Sequence, residues 1–253
     1  MCSSDLAGGR ELAQAIYRPL GIEPIHCGII GPETAGWFRN EIHRKEDLRG
    51  LKIRFAGLGG RVLQRLGAAV TMLPGGEIFQ ALEKGAIDAT EFSLPEVDSR
   101  LGFDRVATYN YFPGWHQPHT AFHLVVHKPT WDALPPSTRA MIELACGDGV
   151  YRNLADAEAM QGPVLADFAS RGVETRVLSS ELLEALEQGT REVLAERAAL
   201  DADFARVLAH QEAFRADYAR WRDLAYPASP KTTETSSSPA RRSPERKAGA
   251  GAR

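Results

Sequence analysis

The segment LKIRFAGLGGRVLQRLGA, residues 51–68, sets a strand, a glycine-rich loop and a helix in that order. The order then repeats. Val70 to Leu73 reads as a second strand, Pro74, Gly75 and Gly76 turn the chain, and EIFQALEKG reads as a helix ended by Gly85. Ile87 to Phe92, carrying Asp88 and Glu91, reads as a third strand whose end faces the same side as the glycine loop. Strands alternating with helices at this spacing commit the region to an α/β layer.

Around this unit, Glu11 to Leu20 has helical spacing with Gly21 as its stop, and Ile22 to Ile30 reads as extended. A polar turn, GPETAG, leads to Trp37, Phe38 and Ile42, and RKEDLRG reads as a helical turn closed by Gly50. YNYFPGWHQPHT suits a cleft or hinge loop, and AFHLVVHK has the density of a buried strand. Beyond Pro129 the pattern is helical to Tyr226: PPSTRAMIELAC, then an alanine-rich run from Gly149 to Arg171, then a long stretch from Ser179, interrupted only by the strand GVETRVL. From Pro227 the apolar periodicity stops, which predicts a disordered tail over 227–253.

With 43% apolar residues among 253, the chain can bury a core. Lysine plus arginine (30) nearly balance aspartate plus glutamate (33), so charge gives no case for nucleic acid. No apolar run approaches the roughly 20 residues of a membrane-spanning helix. Cys2, Cys27 and Cys146 form neither a metal pair nor an even disulfide set, and read as structural thiols; Cys146 in ELACGDG reads as buried and inert. The start, MCSSDLAGGR, lacks the pattern of a secretory signal, and the chain enters a helix with no preceding strand, so a missing N-terminal portion is expected.

Arg54, Gly57, Gly59 and Gly60 join a cation at a strand end to the start of a helix, a corner suited to anions. A guanidinium matches both oxygens of a carboxylate, which lysine does not. The plain alternative is that Arg54 pairs with an acidic side chain and the glycines only turn the chain. A dinucleotide loop fails on spacing, because Val62 stands where its third glycine belongs. Glu33 and Glu91 are the acidic candidates near element ends. His116, His119, His123 and His127 read as core, hinge or surface histidines rather than a metal site. The motifs of serine hydrolases, phosphate loops and zinc proteases are missing.

The segments GWFRNEI, DLRGLKIRFAGLGGRVLQRLGA, LPGGEIFQALEKGAIDATEF and YNYFPGWHQP, in that order, resemble TRAP transporter solute-binding proteins of the DctP type, closest to the branch taking 2-oxo acids such as pyruvate, or lactate. The resemblance runs from about Gly8 to about Tyr226. It implies an α/β, periplasmic-binding-protein-like two-lobe fold with mixed sheets and long C-terminal helices, the first lobe incomplete. Residues 1–26 would be a remnant of that lobe, 27–123 the second lobe, and 124–226 the hinge strand, return to the first lobe and bracing helices. Exposed sheet edges of an incomplete lobe invite dimerisation.

The function implied is capture of a small monocarboxylate in the periplasm for a membrane permease, without covalent chemistry. Arg54 matches the family arginine that clamps the ligand carboxylate, and the ligand set is Arg54, Glu33, Glu91, Phe92, Gly57 and Trp115. A sodium or calcium ion would be held by Glu33, Glu91 and Phe92. Here Phe92 replaces a tryptophan and Glu33 a glutamine of that branch, and the added charge favours calcium over sodium. The competing readings are an enzyme that anchors a carboxylate on Arg54, and a fragment that no longer binds.

Overall fold

Trp37 and Phe38 are consecutive, apolar and buried, so they must face opposite sides of a covered strand. The computed structural model, which describes residues 8–226, builds that arrangement. The strand β2 (Gly36–Phe38) lies inside a six-stranded mixed sheet with β3 (Lys52–Arg54), β4 (Ala69–Thr71), β5 (Ala89–Thr90), β6 (Tyr109–Phe112) and β8 (Glu174–Val177), in the order β4-β3-β5-β2-β6-β8. β3 runs parallel to β4 and β5, β6 parallel to β8, and β2 antiparallel to both its neighbours.

Phe38 joins a core with Ile53, Val62, Leu63, Leu182 and Leu186, formed by the sheet, helix α2 (Gly57–Arg65) and helix α7 (Ser180–Leu200). Trp37 joins the other core, with Ile78 and Leu82 of α3 (Gly75–Glu83), Phe103, and Phe168 of α6 (Pro136–Ser170). Helix α4 (Pro95–Leu101) follows β5. The two strand–loop–helix units of the sequence therefore supply one parallel part of the sheet, β4-β3-β5, with β5 as their third strand. Its ladder covers only Ala89 and Thr90 of the expected 87–92.

Outside this sheet, β1 (Ile22–Ile30) and β7 (Thr120–His127) form a two-stranded antiparallel ribbon. Helix α1 (Gly9–Tyr17) precedes it, and α5 (Lys128–Ala133) follows. The described residues group into two units, one running to Phe214 and one from Arg215, within α8 (Ala202–Ala225). The tail 227–253 and Cys2 lie outside the described residues.

Four expectations are corrected. YNYF is a strand rather than a loop: Asn110 and Tyr111 are buried, and the Tyr111 hydroxyl bonds both the N–H and the carbonyl of Ile42. The runs 135–146 and 149–171 are one helix of 35 residues, continuous through Pro163. AFHLVVHK is a strand but not a buried one, since Phe122, Leu124 and Val125 are exposed, whereas GVETRVL forms the expected strand, β8, beside β6. Cys27 and Cys146 are not thiols but a disulfide. An irregularity in β1 between His26 and Gly28 interrupts the ladder at Cys27, opposite α6, and no spacing rule reports a contact across 119 residues.

A cross-link closing so long a loop restricts the unfolded chain strongly. Replacing both cysteines by alanine is expected to cost about 2–5 kcal/mol. Urea midpoints that coincide for the two proteins under oxidising conditions would refute this.

Candidate functional site

Sheet direction decides which loops meet. β3 and β5 are parallel, so Arg54 and Glu91 leave the sheet at the same end, and Glu91 N–H donates to the Arg54 carbonyl at 3.1 Å. Because β2 is antiparallel to β5, its beginning, with Glu33 just before it, lies at that end too. Because β6 is antiparallel to β2, its exit into Pro113, Gly114, Trp115 and His116 arrives there as well. Ligand sites of open α/β sheets lie at the carboxyl ends of the parallel strands, the end at which this cluster lies.

Close backbone approach fixes the meeting. Gly114 packs so tightly on the loop before β2 that a Cβ would come 2.1 Å from the Glu33 carbonyl oxygen. Glu33 N–H donates to the Gln117 carbonyl at 3.2 Å, and Ala35 N–H to that of Tyr111 at 2.8 Å. The two loops are thereby joined by backbone before any side chain acts.

Arg54 is 5% exposed. Its Nη1 donates to the Glu91 carbonyl and, at 3.2 Å, to Glu91 Oε2, while Nε donates to the Leu73 carbonyl at 3.3 Å. The guanidinium carbon sits 5.2 Å from the centre of the Phe92 ring, a cation–π contact that braces it. Glu33 Oε1 accepts from Thr120 at 3.0 Å and from Gln117 at 3.3 Å. His116 Nε2 stands 3.4 Å from Glu91 Oε1 and 3.8 Å from Glu33 Oε2, attracted by charge without a formed hydrogen bond.

Burial works against charge here, and the neighbours prevail. Burial alone would raise the Glu91 carboxyl, but His116 and Arg54 hold it below its ordinary range. Burial would likewise lower the His116 imidazole, yet Glu33 and Glu91 raise it. Deeper in, Asp98 is fully buried and accepts from Trp37 Nε1 at 2.8 Å. Its pKa is pushed up to about 8, first by burial, with the charges of Glu91 and Glu33 adding.

Of the expected set, Arg54, Glu33, Glu91 and Phe92 come together. The acidic partner that the plain alternative assigned to Arg54 is Glu91, itself a member of the set. Trp115 stands behind them, with ring centres 5.8 Å from Phe55 and 5.4 Å from His116. Gly57 opens α2 with φ of 62°, and a Cβ there would meet nothing within 4 Å, so it faces open space and not packed side chains.

His116 is the residue that the sequence reading missed, because its partners lie in three separate segments. The signal was its place after the glycine of the aromatic loop. His123 instead packs on His26 across the ribbon, at 5.4 Å between rings, and His127 contacts Thr130. A groove of about 540 Å³ beside α1, β7 and α8 shares no lining residue with the Arg54 cluster.

The cluster fits a cation. Glu33 Oε2 and both nitrogens of His116 are buried without a hydrogen-bond partner, and donor atoms of Glu33, Glu91 and His116 lie within 4.8 Å of one another. Unpartnered buried polar atoms are costly, and a positive ion is what such a donor set would satisfy.

Comparison with known proteins matches residues 9–200 to the family model DctP, bacterial extracellular solute-binding protein, family 7. A monocarboxylate 2-oxoacid-binding periplasmic protein of Nostoc sp. is 35% identical over 200 residues, which are 79% of this chain and 55% of that protein. The chain thus spans about half the length of this curated relative. Among solved structures, a TRAP transporter solute-binding protein from Bordetella bronchiseptica RB50, a mixed-occupancy dimer with copurified calcium and picolinate, matches with a TM-score of 0.85 and 33% identity, covering 88% of this chain and 67% of that one. One from Colwellia psychrerythraea with bound calcium and pyruvate gives 0.84 and 33%, over 88% and 69%. One from Pseudoalteromonas atlantica T6c with bound sodium and pyruvate gives 0.83 and 32%, over 88% and 68%.

Proposed function

We propose that this chain, which belongs to the DctP family of bacterial extracellular solute-binding proteins, captures a small 2-oxo or 2-hydroxy monocarboxylate together with a cation and delivers it to the membrane permease of a TRAP transporter. The observation that carries this reading is the burial of the Arg54 guanidinium against Glu91, one cluster with Glu33 and His116 at the carboxyl end of the sheet. The relatives described above, with bound pyruvate or picolinate beside calcium or sodium, support it.

In this reading each residue has a separate task. Arg54 would meet the carboxylate through Nη2 and, once Nη1 turns from the Glu91 carboxylate it now holds, through a planar fork, a match that selects acids over neutral carbonyl compounds. The Phe92 ring braces the guanidinium, and Glu33, Glu91 and the Phe92 main-chain oxygen would hold the cation. A cation bound there supplies the positive charge that lets two buried carboxylates and a third from the ligand coexist. Trp115 and Phe55 form the aromatic wall behind the acid. Residues 27–123 would form most of one lobe, with the ribbon as its hinge. The Cys27–Cys146 disulfide supports an oxidising compartment such as the periplasm.

A thermal-shift screen of pyruvate, lactate and related acids, each with sodium or calcium, tests the proposal. An acid present at a hundred times its Kd stabilises the folded state by about 2.7 kcal/mol. Arg54→Lys is expected to abolish the shift, since a point charge does not replace the fork. A folded protein that responds to no monocarboxylate with either ion, or an undiminished response in the lysine variant, refutes the assignment.

A further inference from the structure

We infer that His116 is a third, nitrogen-donating ligand of the cation site formed with Glu33 and Glu91, and that it turns the site's preference toward a divalent transition metal such as zinc or cobalt. The inference deepens the reading of the same site given above.

Spacing comes first. Ligands bonded to a tetrahedral ion at about 2.0–2.2 Å lie roughly 3.4 Å from one another. His116 Nε2 lies 3.4 Å from Glu91 Oε1 and 3.8 Å from Glu33 Oε2, and donor atoms of the three residues all lie within 4.8 Å of one another, near that spacing. The imidazole is 5% exposed, and neither ring nitrogen has a hydrogen-bond partner. Without an ion, the charge attraction of the two carboxylates is all that this imidazole receives for its lost hydration, and no hydrogen bond is formed; an ion seated between the three groups would satisfy the unpartnered nitrogen and oxygen directly.

The ring is also held in place. Phe55 meets it edge to face with centres 4.7 Å apart, and Trp115 does so at 5.4 Å. Gly59 leaves the room it needs, since a Cβ there would come 3.3 Å from His116 Cβ. A donor fixed by packing loses little entropy on binding an ion.

Donor chemistry and charge then select the ion. Calcium fills its shell with about six to eight oxygens, whereas imidazole suits zinc and its transition-metal neighbours. Glu33, Glu91 and an incoming acid set three negative charges against the single one of Arg54. A divalent ion closes that deficit, and sodium closes half of it.

The test uses the full chain, stripped with a chelator, with no organic acid present. Zinc, cobalt, calcium and sodium are titrated by calorimetry into the wild type and into His116→Gln, which keeps an oxygen donor. Loss of the nitrogen is expected to weaken zinc and cobalt about 10–100-fold while leaving calcium within a few-fold. In a second measurement, one equivalent of copper in the wild type is expected to show nitrogen hyperfine coupling in its paramagnetic resonance spectrum, removed by one equivalent of zinc. A zinc-to-calcium ratio unchanged in His116→Gln overturns the inference. If that variant does not fold, the copper spectrum of the wild type decides, and absence of a zinc-displaceable nitrogen signal overturns it. Because no acid is present, failure here reads separately from failure of monocarboxylate capture.

Discussion

Arg54→Met is expected to destabilise the chain by about 3–5 kcal/mol at neutral pH, the range for removing one partner of a buried ion pair. Methionine keeps most of the stem's volume, so the loss is electrostatic. The guanidinium is 6% exposed and Glu91 4%, and the removed group also serves the Glu91 and Leu73 carbonyls. What remains is a buried carboxylate facing His116 on one side and the like charge of Glu33 on the other. The pH dependence follows from the sign of the Glu91 shift. Its folded-state pKa is held below the ordinary value, with burial opposing and His116 and Arg54 prevailing, so the stability it contributes is present above the unfolded value and lost as pH falls through the folded one. The gap between wild type and Arg54→Met should therefore narrow in acid. Urea unfolding at pH 7 and pH 4 measures it, and a gap that is small, or that widens in acid, would show that Arg54 is not the partner that keeps Glu91 ionised.

The strand, glycine loop and helix from Leu51 to Ala68 were legible because each lies within a dozen residues of its signals, and that stretch lies in one of the four segments on which the family resemblance rests. The convergence at the end of the sheet was only half legible. Arg54 and Glu91 sit at the ends of strands that the alternation of elements already implied were parallel. His116 depends on β2 being antiparallel to both β5 and β6, a topological fact that no local pattern contains. The aromatic and proline density of YNYFPGW suits a loop, although its first half is a strand whose Asn110 and Tyr111 are buried. The disulfide was hidden for the same reason as His116: a contact across 119 residues leaves no mark in spacing.

Asp98→Asn should stabilise the chain, and by an amount that grows with pH. The Asp98 carboxyl is fully buried, Oδ2 accepts from Trp37 Nε1, and Oδ1 has no partner. With its pKa pushed to about 8, the folded state holds a proton at neutral pH that the unfolded chain releases near the ordinary value of 3.8. A raised folded-state pKa means that this contribution is fully present below about pH 4 and lost as pH rises through about 8. At roughly 1.4 kcal/mol per pH unit, the proton uptake costs wild type on the order of 4 kcal/mol at pH 7. Asparagine keeps an oxygen for Trp37 and never ionises, but its amide brings a buried donor that itself costs about 1–3 kcal/mol if unmatched. The net gain at neutral pH is thus about 1–3 kcal/mol, turning into a loss near pH 4, where the proton uptake costs less than about 1 kcal/mol. Urea midpoints at pH 4.5, 7 and 8.5 measure the trend. A difference between the two proteins that does not change with pH would mean that Asp98 folds ionised, held by contacts beyond the single bond to Trp37.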